Sequence, residues 1–324
     1  MRTEERATSP EPSAGQQTRD QLLSAMPLTE RQVQLATVST AVLEGGDGPP
    51  IVLLHGQGEF AAIWIKVVPD LVRTHRVIVP DLPGHGASAV TEGRLDADTV
   101  VTWLDELIEQ TCRGRPPVLV GHLLGGAIAA RYAAHHSGRL AQLILVDTLG
   151  LSLFRPAPSF AVPMMGFVAH PTAKSRDRLF NRCFYDWDRV GEQTGEQWEP
   201  LLDYALDRAR TPSVQTALRQ LMPRVAMPSL PSGDLDRIDV PTVLIHGRHG
   251  LQVRLRTAES ASARHGWPLY VIEDCRDDPA MEQPEAFIDA LRTAMGASGE
   301  TRREAPGAAP KAAPGRDSGA KGSA

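Results

Sequence analysis

Cysteine is scarce in this chain of 324 residues, and long apolar runs and an excess of positive charge are missing from it. The three cysteines, Cys112, Cys183 and Cys275, are too few and too far apart for a disulfide framework or a zinc site. Reduced thiols in a cytoplasmic protein are therefore expected, with no metal. No stretch approaches the ~18 consecutive apolar residues of a membrane span, and the N-terminus lacks the apolar core of a signal peptide. No membrane partner is expected. The 34 basic residues are scattered and outnumbered by 39 acidic ones, for a formal net charge of -5, which argues against nucleic acid as a partner. What remains is an ordinary globular composition, 42% hydrophobic and 23% charged, enough for one large domain with an insertion.

Both ends read as unstructured. Residues 1–24 are polar, and from Ala297 to the C-terminus the chain holds no aliphatic residue larger than alanine and no aromatic one. Segments of that kind cannot offset their own ordering entropy, so disorder is expected over 1–24 and 297–324. Between them, short apolar runs at 51–54, 76–81, 118–121, 140–147, 240–247 and 267–274 alternate with helical patterns at Trp64–Thr74, at 97–111 and in the alanine-rich stretch after Gly126. That alternation predicts an α/β fold, a mostly parallel central sheet with helices on both faces, over 25–148 and 238–296. Residues 149–237 interrupt it with a helical pattern rich in proline, methionine and aromatics, which reads as a cap over the sheet edge. Ligands of such sheets bind beyond the carboxyl ends of the strands.

Several motifs fall at that edge in a telling order. His55-Gly56-Gln57-Gly58 follows the first parallel strand, Asp81-Leu82-Pro83-Gly84-His85-Gly86 the next, and Gly121-His122-Leu123-Leu124-Gly125-Gly126 the third. Glu282-Gln283-Pro284-Glu285-Ala286-Phe287 lies near the C-terminal end. Over roughly residues 45–295 the chain resembles the α/β-hydrolase superfamily. Gly121–Gly126 matches the G-x-S-x-G elbow that carries the family's nucleophile on a strand-to-helix turn. The resemblance also implies where a triad should stand, and each position is changed. Leu123 replaces the serine, Gly250 the acid, and Asp277 the histidine. Triad hydrolysis needs nucleophile, base and orienter in contact, so surviving esterase activity is the least favoured outcome. Asp147 as a displaced acid, Cys275 as a nucleophile and Ser88 are weaker alternatives, each more simply structural.

One catalytic device of the family is independent of side chains. The amides of Gln57 and Leu124 would form the oxyanion hole, and Asp277, facing an apolar wall at Leu123, would be a general acid or base. Leu123, His55, Gly56, His122, Trp64, His249, Tyr185 and Trp187 are the expected substrate-binding residues. The first expectation is a cofactor-independent, non-hydrolytic enzyme acting on a large hydrophobic substrate by C–C bond formation, cyclisation, isomerisation or elimination, in natural-product biosynthesis. The alternative is a non-catalytic small-molecule binder, a receptor, carrier or resistance protein. Oligomeric state is left open, with a homodimer as one option.

Overall fold

A computed structural model describes residues 13–304. The chain begins with α1 (Ala14–Ser24), β1 (Thr29–Leu35), β2 (Val38–Gly45), β3 (Pro50–Leu54), α2 (Val68–Leu71), β4 (Arg76–Pro80), β5 (Ala89–Val90) and α3 (Ala97–Thr111). Then follow β6 (Val118–His122), α4 (Leu123–His136) and β7 (Gln142–Val146). Six helices separate β7 from the next strand: α5 (Pro158–Ala169), α6 (Ala173–Cys183), α7 (Trp187–Thr194), α8 (Trp198–Arg210), α9 (Pro212–Leu221) and α10 (Ser232–Leu235). The chain closes with β8 (Thr242–Gly247), α11 (Leu255–His265), β9 (Leu269–Ile272), α12 (Pro279–Glu282) and α13 (Pro284–Glu304).

The strands form one sheet in the order β1-β2-β4-β3-β6-β7-β8-β9, with β5 paired to β2. From β4 to β9 every pairing is parallel, and β1 and β2 join antiparallel at one edge. Strands β3, β6, β7 and β8 are buried along their whole length, as helices on both faces require. Helix α4 is buried from Leu123 to Ala130, its glycines and alanines letting it lie close to the sheet. The fold class expected from the alternation is the one observed.

Three segments differ from the reading of the sequence. Residues 14–24, expected to be disordered, form α1, which packs on α8. The composition hid this because the buried stripe is built on Arg19 and Leu22, and only the leucine carries an apolar signal. At the other end α13 continues to Glu304; the expected disorder beyond it, like that of 1–12, lies outside the described residues. The single helix expected over Trp64–Thr74 is instead a 3-10 turn at Ala61–Trp64 and the one-turn α2, because Pro69 can only occupy the first turn of a helix and so starts a new one.

Candidate functional site

The elbow keeps its strained geometry without its nucleophile. Leu123 stands between β6 and α4 with φ +45°, in the left-handed region. For a residue with a Cβ this costs roughly 1–2 kcal/mol, so the turn has not relaxed. Backbone bonds hold it: Gly125 N donates to His55 O at 3.1 Å and Leu149 N to Leu123 O at 3.2 Å. A Cβ on Gly121 would meet Gly125 O at 2.6 Å, and one on Gly125 would meet Leu54 O at 2.5 Å, so both glycines are sterically required. The Leu123 side chain is 1% exposed and belongs to the larger apolar core cluster. Leu124, the second residue of α4, is fully buried beside it.

Asp277, expected at the family's histidine position, is buried and hydrogen-bonded to a neighbouring loop. Its Oδ1 accepts from the amides of Leu251 (3.0 Å) and Gln252 (2.9 Å), which tie it to the loop where the family's acid would stand. Its Oδ2 is buried with no hydrogen-bond partner among the described residues. Burial, and then the Asp147 charge, push the carboxyl well above the usual carboxylate range against the opposing pull of those amides. Gly250, expected at the acid position, cannot take a side chain in this conformation: a Cβ there would lie 2.3 Å from Val253 O and 3.4 Å from Asp277 Oδ1. Arg276, the neighbour that might have countered the shift, turns away to Asn181 O (3.1 Å) and Phe184 O (2.6 Å).

Two buried histidine–carboxylate pairs surround this point. His122 donates from Nδ1 to Glu59 Oε2 at 3.2 Å and from Nε2 to Asp277 O at 2.6 Å. Burial opposes the imidazolium, but the Glu59 carboxylate and further acidic groups outweigh it and push His122 up to about 10. Glu59 also accepts from Gly56 N at 2.5 Å, so the carboxylate lies against the His55-Gly56 loop. His246 donates from Nδ1 to Asp147 Oδ1 (3.0 Å) and from Nε2 to Val253 O (3.1 Å). Both ring nitrogens are engaged in each pair, so neither histidine has a free site to act as a base. His55 is neutral: it accepts the Leu82 amide on Nε2 (2.9 Å), and burial lowers its pKa. Glu59 and His246 escaped the sequence reading. Glu59 sits among glycines and His246 inside an apolar strand, and only the folded chain reveals their partners.

The remaining candidates fall into separate places. Gln57 joins the site, its Nε2 donating to Gln252 Oε1 at 2.6 Å, so that Gln57, Gln252 and Asp277 form one hydrogen-bonded chain. Trp64, expected to line a pocket, is a core residue, 1% exposed and 6.0 Å from the Phe287 ring. Trp187 packs with Trp198 (4.8 Å between ring centroids) inside the aromatic cluster of the inserted helices. Tyr185 and His249 stack on one another at 4.9 Å, but on the rim of a different cleft. Cys275 is fully buried, its thiol donating to Glu282 Oε1 and pushed far up by burial. Ser88 is a loop brace, bonded to Asp81 O and Ala41 N.

A cavity of about 430 Å³ adjoins the elbow between the start of the insertion and α11. Leu149, Leu151, Phe154, Leu235 and Val253 supply its apolar wall, and Thr148, Gln252, Ser152, Thr257, Ser260, His265, Arg155, Arg254, Arg256 and Arg264 its polar one. Its inner wall is continuous with the altered triad, since Leu149 bonds to Leu123 and Gln252 to Asp277. That volume is in the range of small-molecule sites, roughly 300–1,000 Å³. Leu149, Leu151 and Phe154 were not assigned to a site from the sequence because they follow β7 in an irregular segment without periodicity, and Leu235 and Val253 join them only through the fold. Among the described residues no cluster of His, Cys, Asp or Glu is arranged to hold a metal, and no helix is long and apolar enough to cross a membrane.

Residues 51–290 match a family model described as the alpha/beta hydrolase family. The chain belongs to the α/β-hydrolase family. This hydrolase-fold chain is similar to the 2-hydroxy-6-oxo-6-(2'-aminophenyl)hexa-2,4-dienoic acid hydrolase of Metapseudomonas resinovorans, 25% identical over 85% of this chain and 94% of that one. It is also similar to the pimeloyl-[acyl-carrier protein] methyl ester esterase of Vibrio atlanticus, 27% identical over 76% of this chain and 94% of the relative. Among solved structures, naproxen esterase from Bacillus subtilis superposes with a TM-score of 0.74 at 18% identity, covering 88% of this chain and 99% of the esterase. At that identity the likeness concerns the fold alone.

Proposed function

We propose that this member of the α/β-hydrolase family carries out no serine-triad hydrolysis and works as a non-catalytic binding protein for a hydrophobic small molecule, in the manner of a receptor, carrier or resistance protein. The observation that carries this reading is the arrangement of Asp277. Its carboxylate oxygen Oδ1 is spent on two backbone amides of the neighbouring loop, so the residue ties together the two loops that an acid–histidine pair would otherwise join. Leu123 supplies no nucleophile, and His122 and His246 have both nitrogens engaged. The apolar cavity beside the elbow gives the ligand a place. Hydrolase relatives establish ancestry, whereas the chemistry of their reaction requires groups that these positions do not hold.

A second reading rests on the other oxygen of the same residue. Asp277 Oδ2 is buried and unpartnered, and burial together with the Asp147 charge shifts the carboxyl upward, toward the form that can donate a proton. With the amides of Gln57 and Leu124 polarising a carbonyl, such a site would support a cofactor-free, non-hydrolytic reaction such as isomerisation, elimination, cyclisation or C–C bond formation.

The two separate experimentally. Apolar small molecules are screened for a rise in Tm, and each hit is incubated with the protein and recovered for mass spectrometry. The binding reading expects a rise in Tm that Leu151→Trp abolishes by filling the cavity, with every ligand recovered unchanged. Conversion of a ligand, lost in Asp277→Asn, would establish the enzyme instead. Fluorophosphonate labelling and p-nitrophenyl ester turnover are both expected to be absent, and labelling at any serine refutes the loss of hydrolysis.

A further inference from the structure

A second cleft, of about 500 Å³, lies on the other side of the 248–256 loop, and its lining includes Arg248, Arg254, Arg256 and Arg276 but no carboxylate. Two of these guanidiniums are already satisfied. Arg248 is engaged by Glu273 through Nε and Nη2, at 2.5 Å each, and Arg276 by two backbone carbonyls and the Tyr185 ring. Arg254 and Arg256 are different. Both also line the apolar cavity beside the elbow, so they stand on the ridge between the two spaces, and neither guanidinium has a hydrogen-bond or ion-pair partner among the described residues. No acidic side chain lines the cavity beside the elbow either; Arg155 adds a further cation to its lining, and Arg264 and His265, which also line it, are paired with Asp236. A chain of formal net charge -5 thus concentrates unpaired positive charge at the mouth of the cavity beside the elbow.

Arg254 and Arg256 border the same two spaces with no carboxylate in either lining, and the planar donor fork of a guanidinium matches the oxygens of a phosphate or carboxylate. An apolar cavity ending on such a ridge fits a molecule with the same division. We propose that the ligand is an amphiphile: an apolar chain or ring system in the 430 Å³ cavity, with a single oxyanion head, phosphate or carboxylate, held by Arg254 and Arg256. This assignment rests on the binding reading above and narrows it to a ligand class. Among the described residues no hydrogen bond or ion pair joins either arginine to Asp277, whose Oδ1 is taken by the Leu251 and Gln252 amides.

The test uses three probes with one tail: octyl phosphate, octanoate and octanol. Each is titrated by calorimetry into the full-length protein and into the Arg254→Gln/Arg256→Gln variant, whose unchanged Tm reports intact folding. At ~50 mM salt at least one anionic probe should bind about tenfold or more tighter than octanol, and the variant should lose that advantage while its octanol affinity stays the same. Preference for phosphate over carboxylate, or the reverse, identifies the head group, and either supports the assignment. Octanol binding as tightly as both anions overturns the oxyanion site and leaves the apolar cavity standing. An anionic advantage that survives in the variant overturns the role of these two arginines. Failure of all three probes to bind, octanol included, removes the binding reading itself.

Discussion

Replacing Leu123 by alanine and by glycine measures the strain left in the elbow. Both variants delete a buried leucine side chain from the core, so each should lose on the order of 3–5 kcal/mol relative to the wild type. Their difference isolates the backbone. At an ordinary position near a helix start, glycine is the worse residue by roughly 0.5–1 kcal/mol, because its unfolded chain has more freedom to lose. At φ +45° the alanine keeps the Cβ penalty of about 1–2 kcal/mol, which glycine escapes. Subtracting one from the other leaves glycine favoured by about 0.5–1 kcal/mol, an inversion of the usual order. In urea melts with m near 2–3 kcal/mol/M, the Leu123→Gly midpoint should lie roughly 0.2–0.5 M above that of Leu123→Ala, with equal slopes. Fluorescence and far-UV circular dichroism must give the same midpoints for the comparison to hold. An alanine variant more stable than the glycine variant refutes the reasoning, for the elbow would then carry no strain.

Four further expectations concern other groups. Gly250→Asp should destabilise by about 1–3 kcal/mol through its collision with Val253 O. The combined Leu123→Ser/Gly250→Asp/Asp277→His chain should still fail to turn over p-nitrophenyl acetate, and measurable burst kinetics would contradict this. His122, pushed up to about 10 from an unfolded value near 6.5, contributes stability that is complete below about pH 6.5 and lost as pH rises through about 10. Urea stability should therefore fall over that window in the wild type and flatten in Glu59→Gln, and parallel curves would exclude the pair as the cause. Arg19 is 1% exposed and paired with the fully buried Asp81 at 2.8 Å. Arg19→Ala should cost about 3–5 kcal/mol in chemical denaturation by stranding that carboxylate, and a loss below ~1 kcal/mol would show that the amides of Ala61 and Ala87 suffice for it.

The fold was legible because its strands are short, fully apolar and separated by helical periodicity, a local signal strong enough to survive without partners. The altered elbow was legible for a related reason: Gly121 and Gly125 bracket Leu123 within five consecutive residues, and their spacing is set by the close approaches the turn requires. The contacts of the site were not. Asp277 meets Leu251 and Gln252, His122 meets Glu59, and His246 meets Asp147 across long sequence separations, and no periodicity encodes such pairs. Trp64 shows the opposite error. An aromatic residue near a motif was given to the ligand, whereas its neighbours Phe287 and His122 come from the far end of the chain and from the elbow strand, and together they enclose it. Helix α1 was missed because its inward-facing anchor is an arginine, whose worth depends wholly on the buried carboxylate it reaches.

That anchor has a consequence for motion. Arg19 holds Glu30 on β1 and Asp81 after β4, and it also donates to Tyr204 Oη on α8 at 3.3 Å. One side chain from the beginning of the chain is thus riveted to the sheet and to the inserted helices at once. Any rocking of those helices away from the sheet must shear this rivet or drag α1 along with it. In the proposed binding function, motion of the inserted helices is thereby coupled to a helix that contributes no residue to the cavity lining. Cutting the chain back past Ser24 should quicken uptake and escape together while leaving their ratio, the equilibrium affinity, almost where it was.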